Sequence, residues 1–322
     1  MIRIYDAMSH QIVDSLDLSI PSGPTESRTY GPECDYTKIP YDYTRTHMPT
    51  NRDTRPGTPS GTAEPTPPDY QLNIIGGFTD AFHFHPIIVR DSTATIYLHN
   101  NMLDYNHSYY VTIDEGVLTL PDHSFHGISK EHNWSFKTKD SAPASTDTLI
   151  VDANGQGDFN TVQGALDFIP DFSQKQTVIL IQAGDYEELV YARNKTNVKI
   201  KGAGMDRTRV HYANNEVFNP HPLTVKTNEW PGTFPSRRAA FMLDNCSDIL
   251  LEDLTIATDL HGQAEGLLLN GERIALYSVH IIGSGDALQA NGTIYMESCE
   301  LDGGGDLSLI HISEPTRLDV IS

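Results

Sequence analysis

The sequence is poor in cysteine, poor in positive charge and free of long apolar runs, and each shortage excludes a class of protein. Its three cysteines, Cys34, Cys246 and Cys299, are widely spaced and form no CxxC pair, which argues against a zinc-ribbon site or a disulfide framework. Cys246 and Cys299 fall in strand-like segments and read as buried free thiols. Only 22 Lys and Arg stand against 43 Asp and Glu, a net charge of −21 in 322 residues. A nucleic-acid partner is therefore not expected, because such binding needs basic patches that displace counterions. No apolar stretch approaches the ~18 residues of a membrane span. The opening residues Met1-Ile-Arg-Ile-Tyr-Asp lack the apolar core of a secretory leader. They read as mid-strand, so Met1 is taken as an internal start, with any export signal further upstream.

What is present is mostly β-strand, in a length sufficient for two domains. Residues 1–20 alternate apolar and polar, as half-buried strands do. Residues 21–69 hold ten of the 19 prolines with much Ser, Thr and Gly, and read as a long loop or insertion without a core. Its Tyr30, Tyr36, Tyr41 and Tyr43 suit packing of that loop or contact with a sugar. Strand signals resume at Gln71–Ile75, Phe82–Val89, Thr93–Leu98, Tyr109–Ile113 and Trp134–Thr138, a spacing that argues a β-sandwich. His83 and His85 share one face of a strand, but no carboxylate or cysteine stands at a ligand spacing from them. Tyr109-Tyr-Val-Thr-Ile113 and Trp134-Ser-Phe-Lys-Thr138 resemble the paired strands of bacterial S-layer-type Ig-like domains, over residues 1–139. Asp140–Asp147 is a small-residue linker.

The second domain opens with the strand Leu149–Val151. Val162, Ala165, Leu166 and Ile169 then follow helical spacing, with Asn160 or Asp158 as the cap and Pro170 as the stop. Gly202-Ala-Gly204 reads as a strand-end turn, since the third glycine and following helix of a dinucleotide loop are missing. From residue 240 a repeat emerges. Asp248–Ile256 is echoed by Arg273–Ile281 after 25 residues and by Thr293–Leu301 after 20 more. Paired short strands at that period, without helix, predict a parallel β-helix whose coils stack ~4.8 Å apart.

The repeat makes a geometric prediction. Asp286 and Asp306 each follow the end of a repeat by five residues, and Gln263 precedes Asp286 by 23. The three side chains should stack as a column on successive coils. Two carboxylates so placed cannot both ionise easily, so one acts as nucleophile and the other as acid and base. An adjacent amide can donate to an oxyanion. The competing interpretation is plain turn chemistry, since Asp286 ends Gly-Ser-Gly-Asp and Asp306 ends Gly-Gly-Gly-Asp.

Residues 148–306 resemble the pectin methylesterase family. The resemblance rests on Gly157–Pro170, Ile181-Gln-Ala-Gly-Asp-Tyr-Glu-Glu188, Val198–Gly204, Gln263-Ala264 and Leu269–Tyr277, in that order. It implies an all-β fold overall, the Ig-like sandwich being followed by a truncated right-handed parallel β-helix behind a short capping helix. It further implies Asp306 as nucleophile on a methyl-ester carbonyl, Asp286 as acid and then base, and Gln263 in the oxyanion hole. No metal or organic cofactor is implied, and the implied partner is pectin, a methyl-esterified polygalacturonate. With a net charge of −21, the chain would meet that polymer through local basic residues or its neutral, esterified stretches. Two departures stand out. The family usually has Gln-Asp-Thr-Leu-Tyr at its first aspartate, where this chain has Gly285-Asp-Ala-Leu-Gln289, leaving Gln289 as the alternative second amide. The family's later arginine has no counterpart, and Arg317 is no substitute.

Residues 307–322 break the coil pattern and resemble a translated sequencing adapter, so His311 and Glu314 carry no functional weight. A β-helix ending there exposes an unpaired edge, and the 322-residue chain is expected to be aggregation-prone and inactive. Its parent is expected to be secreted or periplasmic. A pectate lyase or a non-catalytic carbohydrate-binding or adhesion module remain the rival functions.

Overall fold

The computed structural model describes residues 1–23, 70–78, 81–91, 93–120, 124–130, 134–219, 236–304 and the strand at 308–309. Most of the Pro-rich segment, Cys34, Asp306, His311, Glu314 and Arg317 lie outside these residues. The chain divides into two compact units, with the break between Ser145 and Thr146.

The first unit is antiparallel throughout. Its strands are β1 (Ile2–Asp6), β2 (Ile12–Leu16), β3 (Leu72–Asn73), β4 (Phe82–His83), β5 (Ile87–Arg90), β6 (Thr93–Ile96), β7 (Ser108–Ile113) and β8 (Ser135–Lys137). One four-stranded sheet runs β2-β1-β7-β8, beside the separate pairs β3–β4 and β5–β6. Alternation buries Ile2, Ile4, Tyr109, Val111 and Ile113 in one core with Leu16 and Phe84. Across the β7–β8 pair, Tyr109 stacks on Phe136 with centroids 5.5 Å apart. The single strand expected over Phe82–Val89 is two strands, broken at Pro86, whose missing N–H interrupts a ladder. His83 is buried, with its ring edge-on to Tyr70.

The second unit is built from β9 (Thr148–Val151), α1 (Val162–Phe168), β10 (Thr177–Ile181), β11 (Gly184–Glu187), β12 (Val190–Arg193), β13 (Thr196–Lys201) and β14 (Thr208–Tyr212). It continues through β15 (Phe241–Thr258), β16 (Leu267–Ile282), β17 (Leu288–Glu297), β18 (Glu300–Asp302) and β19 (Ser308–Leu309). Every pairing here is parallel, and the strands stack into three faces of a β-helix. The first face joins β12, the opening segments of β15, β16 and β17, and β19. The second face joins β9, β10, β13 and the middle of β15, continuing through β16 and β17. The third joins β11, β14, the ends of β15 and β16, and β18. The sequence repeat is the physical register: Ile249, Ile274 and Ile294 pair in succession, as do Leu251, Leu276 and Met296.

The long strands turn corners at single left-handed residues. Asn197, Asp248 and Arg273 lie in one such column, each with positive φ, and Arg273 clasps Asp248 through two bonds of 2.7 Å. At the next corner of the first face, Gly292 has φ +104°, and a Cβ there would lie 1.7 Å from the carbonyl oxygen of Gly271. Gly292→Ala is therefore expected to destabilise the unit by about 2–3 kcal/mol, measured by chemical denaturation. Ahead of this corner runs a polar column. Asp244 pairs with Asn270 and Asn270 with Asn291, the Asn270 amide donating to Asp244 Oδ1 at 2.7 Å. Arg193 Nε caps the column on Asp244 Oδ2 at 2.8 Å.

Helix α1 covers the open end of the core, as its periodicity predicts, with Val162, Ala165, Leu166 and Ile169 buried in the β-helix interior. Its cap is Thr161, whose hydroxyl accepts from Gly164 N at 3.1 Å, and not Asn160 or Asp158. Asp158 instead accepts from Ile150 N at 2.8 Å, a bond back to strand β9 that helical spacing does not reveal. The first two helical N–H groups go to a distant acceptor. Val162 N and Gln163 N donate to the two oxygens of Glu188 at 2.7 and 2.9 Å. Cys246 is a buried free thiol and Cys299 a half-buried one, and burial pushes the Cys246 thiol up to about 12. Strand β19 at Ser308–Leu309 pairs with β17. Parallel pairing uses backbone groups, so it tolerates a change of side-chain pattern. Among the described residues no helix is long and apolar enough to cross a membrane.

Candidate active site

The turns that leave the third face and enter the first gather the polar residues of interest. Asp286 stands two residues ahead of β17, and Gln263 stands four ahead of β16 on the preceding coil. Backbone bonds hold the two turns together: Ser284 N to Ala264 O at 2.8 Å and Gly266 N to Ala287 O at 3.0 Å. The Ser284 hydroxyl adds a bond from Gly262 N at 3.1 Å and a contact with His261 Nδ1 at 3.3 Å. Between them sits Gly285. A Cβ at that position would come within 2.9 Å of Gly262 O and 3.6 Å of the Gln263 side-chain carbon. The missing side chain at Gly285 thus lets the two turns approach at the Gly262 carbonyl, beside Gln263 and next to Asp286 in the chain.

A residue that sequence reasoning missed completes this end of the column. Arg238 lies 25 residues before Gln263, one coil back, in the segment leading into β15. Its Nε bonds Glu265 Oε2 at 2.8 Å, and its Nη1 approaches Gln263 Oε1 at 3.4 Å. A guanidinium has only donors, so it selects the oxygen end of the Gln263 amide and turns the NH2 end away. Burial works against the Arg238 charge, but Glu265, and beyond it Glu216 and Asp286, outweigh that cost and hold its pKa above the ordinary value. The available signal was the coil-length spacing of a basic pair, Arg237-Arg238, in a strongly acidic chain. Glu265 is wholly buried, so Arg238→Ala would strand its carboxylate. We expect a loss of about 3 kcal/mol in denaturant unfolding, largely recovered when Glu265 is replaced by leucine as well.

Asp306 lies outside the described residues; the strands described on either side of it pair with the coil that carries Asp286, at an offset of 20 residues ahead of it and 19 beyond it. Ile281 pairs with Leu301 and Ile282 with Asp302, and Gly304 N donates to Ser284 O at 3.0 Å. Further on, Gln289 pairs with Ser308. Gln289 itself is buried on the first face beside Leu268, on the side opposite the core-facing Leu288 and Ala290. Its Oε1 makes no hydrogen bond among the described residues.

Fold and site together define a parallel β-helix protein that lines up an arginine, an amide and a carboxylate at the head of one sheet face. Comparison with known proteins gives that class a family. The Pectinesterase family model matches residues 148–309, half of the chain. Probable pectinesterase 8 of Arabidopsis thaliana is 29% identical over 173 residues, covering 52% of this chain and 42% of that protein. Putative pectinesterase 14 of the same plant is 30% identical over 193 residues, covering 58% of this chain and 54% of its own length. Among solved structures, the pectin methylesterase from carrot aligns with a TM-score of 0.39 at 23% identity, over 49% of this chain and 47% of that one. The chain belongs to the pectinesterase family, and it spans about half the length of the curated relatives it matches.

Proposed function

We propose that the second unit serves a carboxylic ester hydrolase that removes methyl esters from pectin. The observation that supports this reading is the position of Gln263 and Asp286 in hydrogen-bonded turns of adjacent coils, with parallel pairing to the Asp286 coil present both ahead of Asp306 and beyond it. In this scheme the Asp306 carboxylate attacks the ester carbonyl and forms an acyl-enzyme. The Gln263 NH2, directed by Arg238, donates to the oxyanion as the tetrahedral intermediate forms. Asp286 gives a proton to departing methanol, then takes one from the water that releases the acid. Coil stacking at ~4.8 Å favours one ionised and one protonated carboxyl, which is the starting state this sequence of steps needs. A methylated stretch of polymer is neutral, so a chain of net charge −21 can approach it without strong repulsion. The substrate is a cell-wall polymer, which favours a secreted or periplasmic setting. The first unit is assigned as an Ig-like accessory module.

The test is methanol release from methyl-esterified polygalacturonan, by a gene product in which the coils continue past Asp306. Gln263→Ala is expected to lower release by about 10²–10³-fold. Formation of an unsaturated uronide instead would indicate a lyase. Polymer binding with neither product would indicate an adhesion module and overturn the hydrolase reading.

A further inference from the structure

The third face carries on its outer side a cluster that the ester chemistry does not use. Asp185 and Glu187 point the same way from β11, because residues two apart on a strand share a side. Strand β14 lies beside them in register, with Arg209 opposite Asp185 and His211 opposite Glu187. The next coil contributes Asp259, just past the pairing of Tyr212 with Thr258. Ligand atoms of Glu187, His211 and Asp259 all lie within 4.8 Å of one another.

The imidazole gives the cluster its direction. His211 is only 4% exposed. Its Nδ1 is bonded to the Asp259 carboxylate, which Arg209 Nη2 holds from the other side at 3.0 Å. Its Nε2 is buried and makes no hydrogen bond among the described residues, yet faces Asp185 Oδ1 at 3.2 Å. A ring with one nitrogen fixed by a carboxylate and the other aimed at a second carboxylate is the usual posture of a metal-binding histidine. The 3.2 Å separation also matches the edge of about 3.3 Å expected between two ligands on a tetrahedral zinc.

We propose that His211 Nε2, Asp185 and Glu187 bind one divalent transition-metal ion, with Asp259 positioning the imidazole. One imidazole and two carboxylates suit zinc or manganese and disfavour soft, thiolate-seeking ions. Three carboxylates face one guanidinium and one imidazole, so a dication removes a local excess of negative charge. The ion joins two adjacent coils directly and, through Asp259, a third. The competing occupant of Nε2 is a proton. Burial opposes the charged ring, but the hydrogen bond and charge of Asp259, with the charge of Asp185, outweigh it and raise its pKa. Binding therefore displaces a proton and weakens as pH falls. None of these residues belongs to the Gln263–Asp286 column, so the site stands or falls independently of methanol release.

The experiment uses the 322-residue chain, stripped with EDTA and titrated with Zn²⁺ at pH 8 by calorimetry, with metal content read by mass spectrometry. One ion per chain and a rise in Tm of several degrees are expected. Asp259→Asn should weaken binding by about 10–100-fold. Asp185→Asn, at an exposed position, should weaken it by at least as much, and His211→Gln should abolish it. The absence of stoichiometric binding at pH 8 would overturn the proposal. So would unchanged affinity in Asp185→Asn and His211→Gln, which would assign the zinc to other surface histidines.

Discussion

Exchanging Asp306 for asparagine is expected to lower methanol release by about 10⁴-fold or more, because an amide cannot form the acyl-enzyme. Asp286→Asn is expected to cost less, about 10²–10⁴-fold, the range of general acid–base catalysis. The two losses should also differ in kind. Methanol is a poor leaving group and, in the proposed scheme, takes the Asp286 proton, whereas an aryl oxide leaves without one. With an aryl ester, Asp286→Asn should still show a burst of one equivalent followed by slow turnover, and Asp306→Asn should show no burst. The double variant should be no worse than Asp306→Asn alone, since the proposed scheme puts both groups on one reaction path. Full turnover by Asp306→Asn would remove it from the mechanism.

The second large effect falls on stability. Glu188 is buried where the chain passes behind helix α1, and both its oxygens accept backbone N–H groups from Val162 and Gln163. Glu188→Ala removes both acceptors at once. Leaving two buried N–H groups unbonded costs about 2–6 kcal/mol, enough to unseat the helix that closes the β-helix interior. The wild-type residue also carries a pH signature. Burial pushes its carboxyl up to about 7, against the two N–H bonds that favour the ionised form. A carboxyl whose folded pKa exceeds its unfolded value binds its proton more tightly when folded. Its contribution is therefore complete below about pH 4.5 and is lost as pH rises through 7, by roughly 3 kcal/mol in all. Denaturant midpoints should fall across that window in the wild type, beyond the drift shared with Glu188→Gln. Parallel curves for the two proteins would contradict the assignment.

Much of the second unit was legible in the sequence because a solenoid repeats its inward pattern. Ile249, Ile274 and Ile294 recur at coil length because each fills the same site on successive coils, and the register follows directly. The capping helix was legible for the same reason: its buried positions keep helical spacing. What escaped were interactions set by folded geometry across coils whose connecting turns vary in length. Glu188 reaches back to the helix start across 26 residues, and Arg238 finds Glu265 across 27. Thr161 displaced the expected caps because Asp158 was engaged with a strand backbone that local sequence does not reveal. In the first unit, Pro86 divided a run that alternation alone would have kept whole. For the site, coil counting placed Gln263 and Asp286 in neighbouring turns, while the close approach of Gly285 to the Gly262 carbonyl emerged only from the folded backbone.

The column of Asp244, Asn270 and Asn291 has a consequence for how the molecule is assembled. Sliding the Asn270 coil by two residues would set Leu268 or Glu272 against the buried Asp244 carboxylate, a mismatch far costlier than the slip of an all-apolar rung. The ladder therefore acts as a ratchet: each finished rung admits its successor in one alignment only. Growth from the helix-closed end then runs in the direction in which a polypeptide is synthesised, so winding can keep pace with emergence instead of waiting for the last residue.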